Sequence, residues 1–175
     1  FVEGMSSYFL SVNRNKRSLA CDLRSESGRR TALALVDRAD VLVENFRPGT
    51  MDRLGLGDDV VAARNPGIVY CSISGFGARD GADLPGYDLL VQAMGGLMSI
   101  TGPEDGPPVK VGVALVDVLT GLQSTVGILA ALEARRTSGR GQLIEMNLLS
   151  SLLSSLVNQG SSYLTAGVVP TALGD

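Results

Sequence analysis

The chain has 175 residues, of which 45% are hydrophobic and 19% charged, so it can form one globular domain with a substantial core. It contains no histidine, which excludes from this chain the catalytic triads and metal sites that use an imidazole. Its 15 basic and 18 acidic residues give a net charge of −3 without a lysine- or arginine-rich block, so we expect no nucleic-acid partner.

Short apolar runs alternate along the chain with segments of helical spacing. In the first half of the chain the sequence predicts a strand at 18–23, a helix capped by Ser25 or Ser27 and ended by Asp40, a strand at 41–43 and a short helix with Pro48 in its first turn. A helix at 58–64, a strand at 68–73 and a helix at 87–98 follow. The chain continues with a long apolar helix ending near Arg135 and Arg136, a strand at 142–146 and a helix at 147–164.

This alternation is typical of β-α-β units, so the predicted fold class is α/β with a doubly wound, mostly parallel sheet. Ligands of such sheets bind at the carboxyl ends of the strands. We therefore expect the site in the loops that follow Leu23, Val43 and Ile73.

Two features bear on cellular location. Cys21 and Cys71 lie in apolar stretches without a paired-cysteine motif, and we interpret them as buried, reduced thiols of a cytoplasmic protein. Residues 111–132 are long enough for a membrane span, but Asp117 would cost about 3 kcal/mol at the centre of a bilayer. We interpret this segment as a buried core helix and expect no membrane association.

Basic residues flank the first predicted strand, namely Arg14, Lys16, Arg17 and Arg24. They form either a solvated surface or a phosphate site, because lysine and arginine bind phosphoryl oxygens through charge-assisted hydrogen bonds. The residue types alone leave both interpretations open.

The loop after the second strand carries Asn45 and Phe46, with Arg47 and Arg53 close behind. An amide and an aromatic ring at a strand end could hold a heterocycle, while arginines near a helix N-terminus favour an anion. The alternative is an ordinary strand-to-helix turn. The glycine-rich loop at 74–81 permits close approach of backbone to a ligand but matches neither phosphate-loop motif, and a flexible turn explains it equally well.

Asp117 is the one charged residue between 111 and 132. If its helix begins near Val116, free amides and the helix dipole keep the carboxylate ionised yet poorly hydrated, as a covalent nucleophile requires. The alternative is a helix N-cap. Tyr87 and Asp88 are the nearest candidates for a second polar group, and Asp88 could equally be an ordinary first-turn carboxylate.

Six strings occur in order along nearly the whole chain: NRNKRSLACDL (13–23), ADVLVENFRPGTMDRLGL (39–56), NPGIVYCSISGFG (65–77), GYDLLVQAMGGLMSITG (86–102), VGVALVDVLTG (111–121) and GILAALEARRTSGRGQ (127–142). Together they closely resemble the family III CoA transferases, which include formyl-CoA and carnitine CoA transferases and the α-methylacyl-CoA racemases. Members of that family are longer, so the resemblance implies that residues 1–175 are part of the large Rossmann-like, CoA-binding domain. We expect its first β-α unit and the small domain to be absent from this chain, which begins with Phe1.

The resemblance also implies roles for residues. Asp117 matches the nucleophile that forms acyl-aspartyl anhydride and aspartyl-CoA thioester intermediates, and Asp88 matches an acidic position that assists the transferases. Tyr87 stands where the racemases have a histidine of the proton-shuttling pair. A phenol with a pKa of about 10 is a poor base at neutral pH, so this difference disfavours racemisation.

Positions that the resemblance assigns to coenzyme A are Asn45, Phe46, Arg53, Arg24, Lys16 and Arg17. Arg24 replaces a lysine that is common in the family. The implied activity is transfer of CoA from an acyl-CoA donor to a carboxylic acid acceptor, with CoA as a co-substrate and no metal. The resemblance further implies an interlocked homodimer. Two alternatives are an α-methylacyl-CoA racemase and an inactive CoA-binding fragment.

Overall fold

The computed structural model describes residues 1–174. Its strands are β1 (Val41–Glu44), β2 (Val69–Ser74) and β3 (Leu143–Asn147). Its helices are α1 (Ser7–Val12), α2 (Glu26–Val36), α3 (Thr50–Arg53), α4 (Asp58–Arg64), α5 (Asp88–Met94), α6 (Leu115–Ser138), α7 (Leu148–Ser155) and α8 (Val157–Ala166), with a 3-10 helix at Met98–Ile100.

The three strands form one parallel sheet in the order β1-β2-β3. Val43 pairs with Cys71, which in turn pairs with Ile144, so the carboxyl ends of all three strands meet at one edge. Long connections containing helices join the strands, as parallel pairing requires. The predicted α/β class with a parallel sheet is confirmed.

Helices cover both faces of this sheet. On one face Tyr70 packs with Val36 of α2 and Val61 of α4 in a buried apolar cluster. Side chains alternate between faces along a strand, so Cys71 points the other way. There its thiol lies beside Ser124 of α6. A three-layer arrangement of this kind agrees with the predicted doubly wound sheet.

The longest helix, α6, packs against β2, β3, α5 and α7. Val116 of α6 joins Val91, Leu148 and Leu152 in a second buried cluster, so one face of this helix belongs to the core as predicted. Its length and composition would also allow it to cross a membrane. The opposite face of α6 is exposed and apolar, with Val118, Leu122, Val126 and Leu129 each more than half accessible.

Several boundaries agree with the sequence-based prediction. Ser25 caps α2, since its Oγ accepts a hydrogen bond from the amide of Gly28 at 3.0 Å. α4 spans 58–64 as predicted, and the strands near 41, 69 and 143 agree to within a residue at each end.

The predicted strand at 18–23 is wrong. These residues do not pair with β1, β2 or β3, and residues 18–22 are exposed. A strand is stable only beside a hydrogen-bonding neighbour, which apolar alternation alone does not supply. The interpretation of Cys21 as buried is wrong for the same reason, whereas Cys71 is buried in β2. Burial raises the pKa of the Cys71 thiol.

Four helix boundaries also differ from prediction. α2 ends at Val36 and not at Asp40. Pro48 precedes α3, whose N-cap is Gly49 at φ +75°. α5 ends at Met94 because Gly95 and Gly96 follow it. The helix predicted over 147–164 is divided into α7 and α8 around Val157, which has φ +41°.

Candidate active site

A cavity of about 780 Å³ opens at the carboxyl ends of the strands. Its walls include Asn45 and Phe46 after β1, residues 73–77 at the end of β2, and Leu148 after β3. The loops after Val43 and Ile73 thus line a cavity, as the topology predicts, whereas the loop after Leu23 does not line it. The volume is in the range typical of small-molecule sites.

The structure brings six of the predicted site residues to this cavity. They are Lys16, Asn45, Phe46, Tyr87, Asp88 and Asp117. They come from four separate parts of the sequence and meet because the strand ends and the N-terminal ends of α5 and α6 converge here.

Asp117 occupies the third residue of α6, whose N-cap is Ala114. Within residues 1–174 its carboxylate forms no hydrogen bond or ion pair. It therefore does not cap its own helix, and it lines the cavity instead. The N-cap interpretation of Asp117 is wrong, because the side chain of another residue satisfies the amides at this end.

The environment of Asp117 raises the pKa of its carboxyl group. Partial desolvation is the larger cause, and the negative charge of Asp88 is the second. Asp117 is exposed by surface area. The two observations are compatible because the carboxylate is open to the cavity while protein atoms shield it elsewhere. The desolvation agrees with the expected poorly hydrated carboxylate, while the raised pKa shows that the amides of α6 do not offset it.

Asp88 supplies the acceptor that α6 lacks. Its Oδ2 accepts hydrogen bonds from the amides of Val116 at 2.7 Å and Asp117 at 3.2 Å. Its Oδ1 accepts a hydrogen bond from the side-chain amide of Gln92. Asp88 is thus more than a first-turn carboxylate of α5, because it caps a different helix. Sequence reasoning had no signal for this contact, which joins residues 28 positions apart.

Two glycines set the position of the N-terminal end of α5. Gly75 follows β2 and Gly86 precedes Tyr87, and a Cβ added to Gly86 would lie 2.7 Å from the Cα of Gly75. Only hydrogen side chains allow this approach. It places Tyr87, which is 69% exposed, on the cavity wall next to Asp88.

The cations predicted to hold coenzyme A fall into two groups. Lys16 lines the cavity, whereas Arg17, Arg24 and Arg53 do not. Arg24 pairs with Asp22 at 3.1 Å, and hydrogen bonds from its backbone amide and then from its side chain lower the pKa of that carboxyl. Arg53 folds back onto its own helix, where its Nη2 donates to the Oγ1 of Thr50 at 2.8 Å.

Arg47 is a cavity residue that the resemblance did not assign to coenzyme A. It lines this cavity and a second one of about 500 Å³ beside Glu44 and Tyr70. The sequence signal for Arg47 was its position near a helix N-terminus, where an arginine favours an anion. Among residues 1–174 no group of three or more His, Cys, Asp or Glu side chains could hold a metal ion.

Comparison with known proteins identifies the class to which this fold and cavity belong. The family model described as CoA-transferase family III matches residues 1–175. The chain belongs to this family, which confirms the resemblance found in its sequence motifs.

Individual relatives agree. A succinyl-CoA:mesaconate CoA-transferase of Haloarcula hispanica is 43% identical over 178 residues, which cover 99% of this chain and 45% of the relative. A succinyl-CoA:glutarate CoA-transferase of Mus musculus is 45% identical over 165 residues, covering 94% and 38% respectively. The crystal structure of a CaiB/BaiF family protein from Brucella suis superposes with a TM-score of 0.95 at 44% identity, covering 99% of this chain and 47% of that one. The chain thus spans less than half the length of each of these relatives.

Proposed function

We propose that the protein is a CoA transferase that moves coenzyme A from an acyl-CoA donor to a carboxylic acid through a covalent intermediate on Asp117. The observation that carries this proposal is the Asp117 carboxylate at the cavity wall, which neither caps its own helix nor forms an ion pair within the described residues. Family membership supports the reaction class. The relatives of Haloarcula hispanica and Mus musculus are named for CoA transfer and do not favour the racemase alternative.

The first half-reaction forms two intermediates in turn. A carboxylate oxygen of Asp117 attacks the thioester carbon of the donor, the carbon–sulfur bond breaks, and CoA thiolate departs. The product of this step is an acyl-aspartyl anhydride. The thiolate then attacks the Asp117 carbonyl, the donor carboxylate leaves, and an aspartyl-CoA thioester remains. Covalent catalysis of this kind divides one difficult exchange into easier steps.

The second half-reaction reverses the order. The acceptor carboxylate attacks the aspartyl thioester and releases CoA thiolate, which attacks the acceptor carbon of the new anhydride. Acyl-CoA product leaves and Asp117 is again a carboxylate. Every nucleophile and leaving group is a carboxylate or a thiolate, so no net proton transfer is needed. A chain without histidine suits such a reaction.

The cavity also offers contacts for coenzyme A. Phe46 can stack on the adenine, Asn45 can hydrogen bond to it, and Lys16 and Arg47 can bind phosphate oxygens. Arg17, Arg24 and Arg53 are proposed to contact phosphates that extend beyond the cavity.

We further propose that the acceptor is a dicarboxylic acid. One carboxylate would react at Asp117, while the second would pair with whichever of Lys16 and Arg47 does not hold a phosphate of coenzyme A. The relatives named for mesaconate and glutarate support this substrate class.

The activity test mixes the purified protein with succinyl-CoA and a panel of mono- and dicarboxylic acids, and new acyl-CoA is measured by mass spectrometry. We expect acceptor-dependent CoA transfer that Asp117→Asn abolishes, with Asp59→Asn, an exposed residue of α4, as an active control. Two outcomes contradict the proposal. One is exchange of the α-hydrogen of a branched acyl-CoA in deuterated water without an acceptor, which indicates a racemase. The other is CoA binding without turnover, which indicates a binding fragment.

We also propose a homodimer. The exposed apolar face of α6 gives physical support, because such a surface is commonly covered by a partner.

A further inference from the structure

The N-terminus of α6 is held by a residue of another helix. The backbone amide of Leu115 donates to the Val113 carbonyl at 2.8 Å. The amide of Val118 donates to the Ala114 carbonyl at 3.1 Å and so makes the first regular hydrogen bond of the helix. The two amides between them, those of Val116 and Asp117, both donate to Asp88 Oδ2. The direction of the Asp117 residue therefore depends on the position of the Asp88 carboxylate.

Gln92 holds that carboxylate from behind. It lies one turn after Asp88 on the same face of α5, and it is 1% exposed. Its Nε2 donates to Asp88 Oδ1, and its Oε1 accepts from the amide of Val111 at 2.9 Å. Val111 belongs to the loop that leads into α6, so a single side-chain amide contacts both the capping carboxylate and the approach to the helix.

A glutamine this deeply buried is unusual, because the amide must be hydrogen bonded at both ends to offset its lost hydration. Packing alone does not explain it. An apolar side chain of similar volume could fill the same buried position. What only the amide provides is one donor for Asp88 and one acceptor for Val111.

We propose that Gln92 is a positioning residue of the transferase: it orients Asp88, and through Asp88 it holds the first turn of α6 so that the Asp117 carboxylate faces the cavity. This inference rests on the proposed function in one respect, namely that Asp117 is the nucleophile. It assigns Gln92 no contact with substrate.

The first test is Gln92→Met, which keeps approximate volume and removes both hydrogen bonds. We expect kcat to fall about 10- to 100-fold, the range for loss of a supporting contact behind a reactive group, while KM for acyl-CoA changes less than about threefold. Val61→Ala serves as the matched control, since Val61 is fully buried in the other core cluster. It should lower thermal stability without lowering kcat.

The second test is Gln92→Glu, which distinguishes positioning from packing by pH. Charged groups near position 92 are Asp88 on α5, Asp117 on α6 and Lys110 in the loop before Val111, while α7 and the 3-10 helix carry none. The carboxyl group introduced at this position cannot donate to Asp88 when it is ionised, but it can when it is protonated. The ratio of variant to wild-type kcat should therefore rise as the pH falls, whereas the ratio for Gln92→Met should stay flat.

The inference is overturned if Gln92→Met retains kcat within about twofold of wild type, if its loss matches that of Val61→Ala at equal loss of stability, or if the Gln92→Glu ratio does not change with pH. Asp117→Asn is measured in parallel. If Asp117→Asn stays active, the proposed function fails; if it is inactive while Gln92→Met is normal, the positioning role alone fails.

Discussion

At the scale of single residues, the fold treats two carboxylates on neighbouring helices differently. Asp88 gives both of its oxygens to hydrogen bonds, whereas Asp117 gives none within the described part of the chain. The first is suited to hold structure and the second to react. Both carboxylates line the cavity, and the division arises because only Asp88 also lies within hydrogen-bond distance of the free amides of α6.

The raised pKa of Asp117 predicts a conflict between stability and reactivity. A carboxyl group whose pKa is higher in the folded chain than in the unfolded chain destabilises the fold when it is ionised. This destabilisation is absent at pH values below 3.8, the ordinary pKa of an aspartate in the unfolded chain. Asp117→Asn should therefore raise Tm at pH 7, with the gain shrinking as the pH falls towards that value. Calorimetry across pH checks this. A lower Tm for the variant at pH 7 would contradict the assigned environment.

A second residue-scale prediction concerns Arg47. Because Arg47 lines the cavity beside Phe46, Arg47→Ala should raise KM for acyl-CoA about tenfold or more through loss of a charge-assisted contact. Arg38→Ala is the control, since Arg38 is an exposed cation that does not line the cavity. Equal KM values for the two variants would remove Arg47 from the site.

At the scale of elements, the contact between Gly75 and Gly86 connects the end of β2 to the start of α5. Gly86→Ala places a methyl group 2.7 Å from the Gly75 Cα, so we expect a loss of about 1–3 kcal/mol in the free energy of unfolding. Urea denaturation measures it. Gly121→Ala is the matched control, because a Cβ there meets nothing within 4 Å and alanine favours the helix. Similar losses in both variants would show that the close approach is unimportant.

The sequence predicted elements well where the signal was local. Asp58–Arg64 is bounded by turn residues on both sides, and the β-branched run at 41–43 becomes β1. The strand predicted at 18–23 was wrong because strand pairing depends on a neighbouring strand that the local pattern cannot reveal.

The site residues also divide into those that could be predicted from the sequence and those that could not. Topology brought Asn45 and Phe46 to the cavity, whereas the bonds from Asp88 and Gln92 to a distant helix and the loop before it carried no local signature.

At the scale of the whole molecule, α6 has two different sides. One contacts the sheet and α7, and the other exposes Leu122 and Val126, which are 61% and 67% accessible. Packing within residues 1–174 therefore buries only one side of α6. A partner on the outer face would remove this apolar surface from water.

The proposed homodimer leads to a test of assembly. Replacing Leu122 and Val126 together by glutamate should shift the protein from dimer to monomer in sedimentation velocity, because charges on an interface core are costly. Leu164→Glu, at an 83% accessible position on α8, should leave the dimer intact. A wild-type protein that sediments as a monomer, or a double variant that remains dimeric, contradicts this use of the α6 face.

The most direct measurement of the proposed covalent chemistry is chemical trapping of the acyl-enzyme. The protein is incubated with an acyl-CoA donor and then with hydroxylamine, which converts an activated aspartyl group into a hydroxamate, and peptides are mapped by mass spectrometry. We predict a hydroxamate on the peptide containing Asp117, and none in Asp117→Asn. A hydroxamate at another carboxylate, or turnover without any trapped residue, would contradict the central role of Asp117.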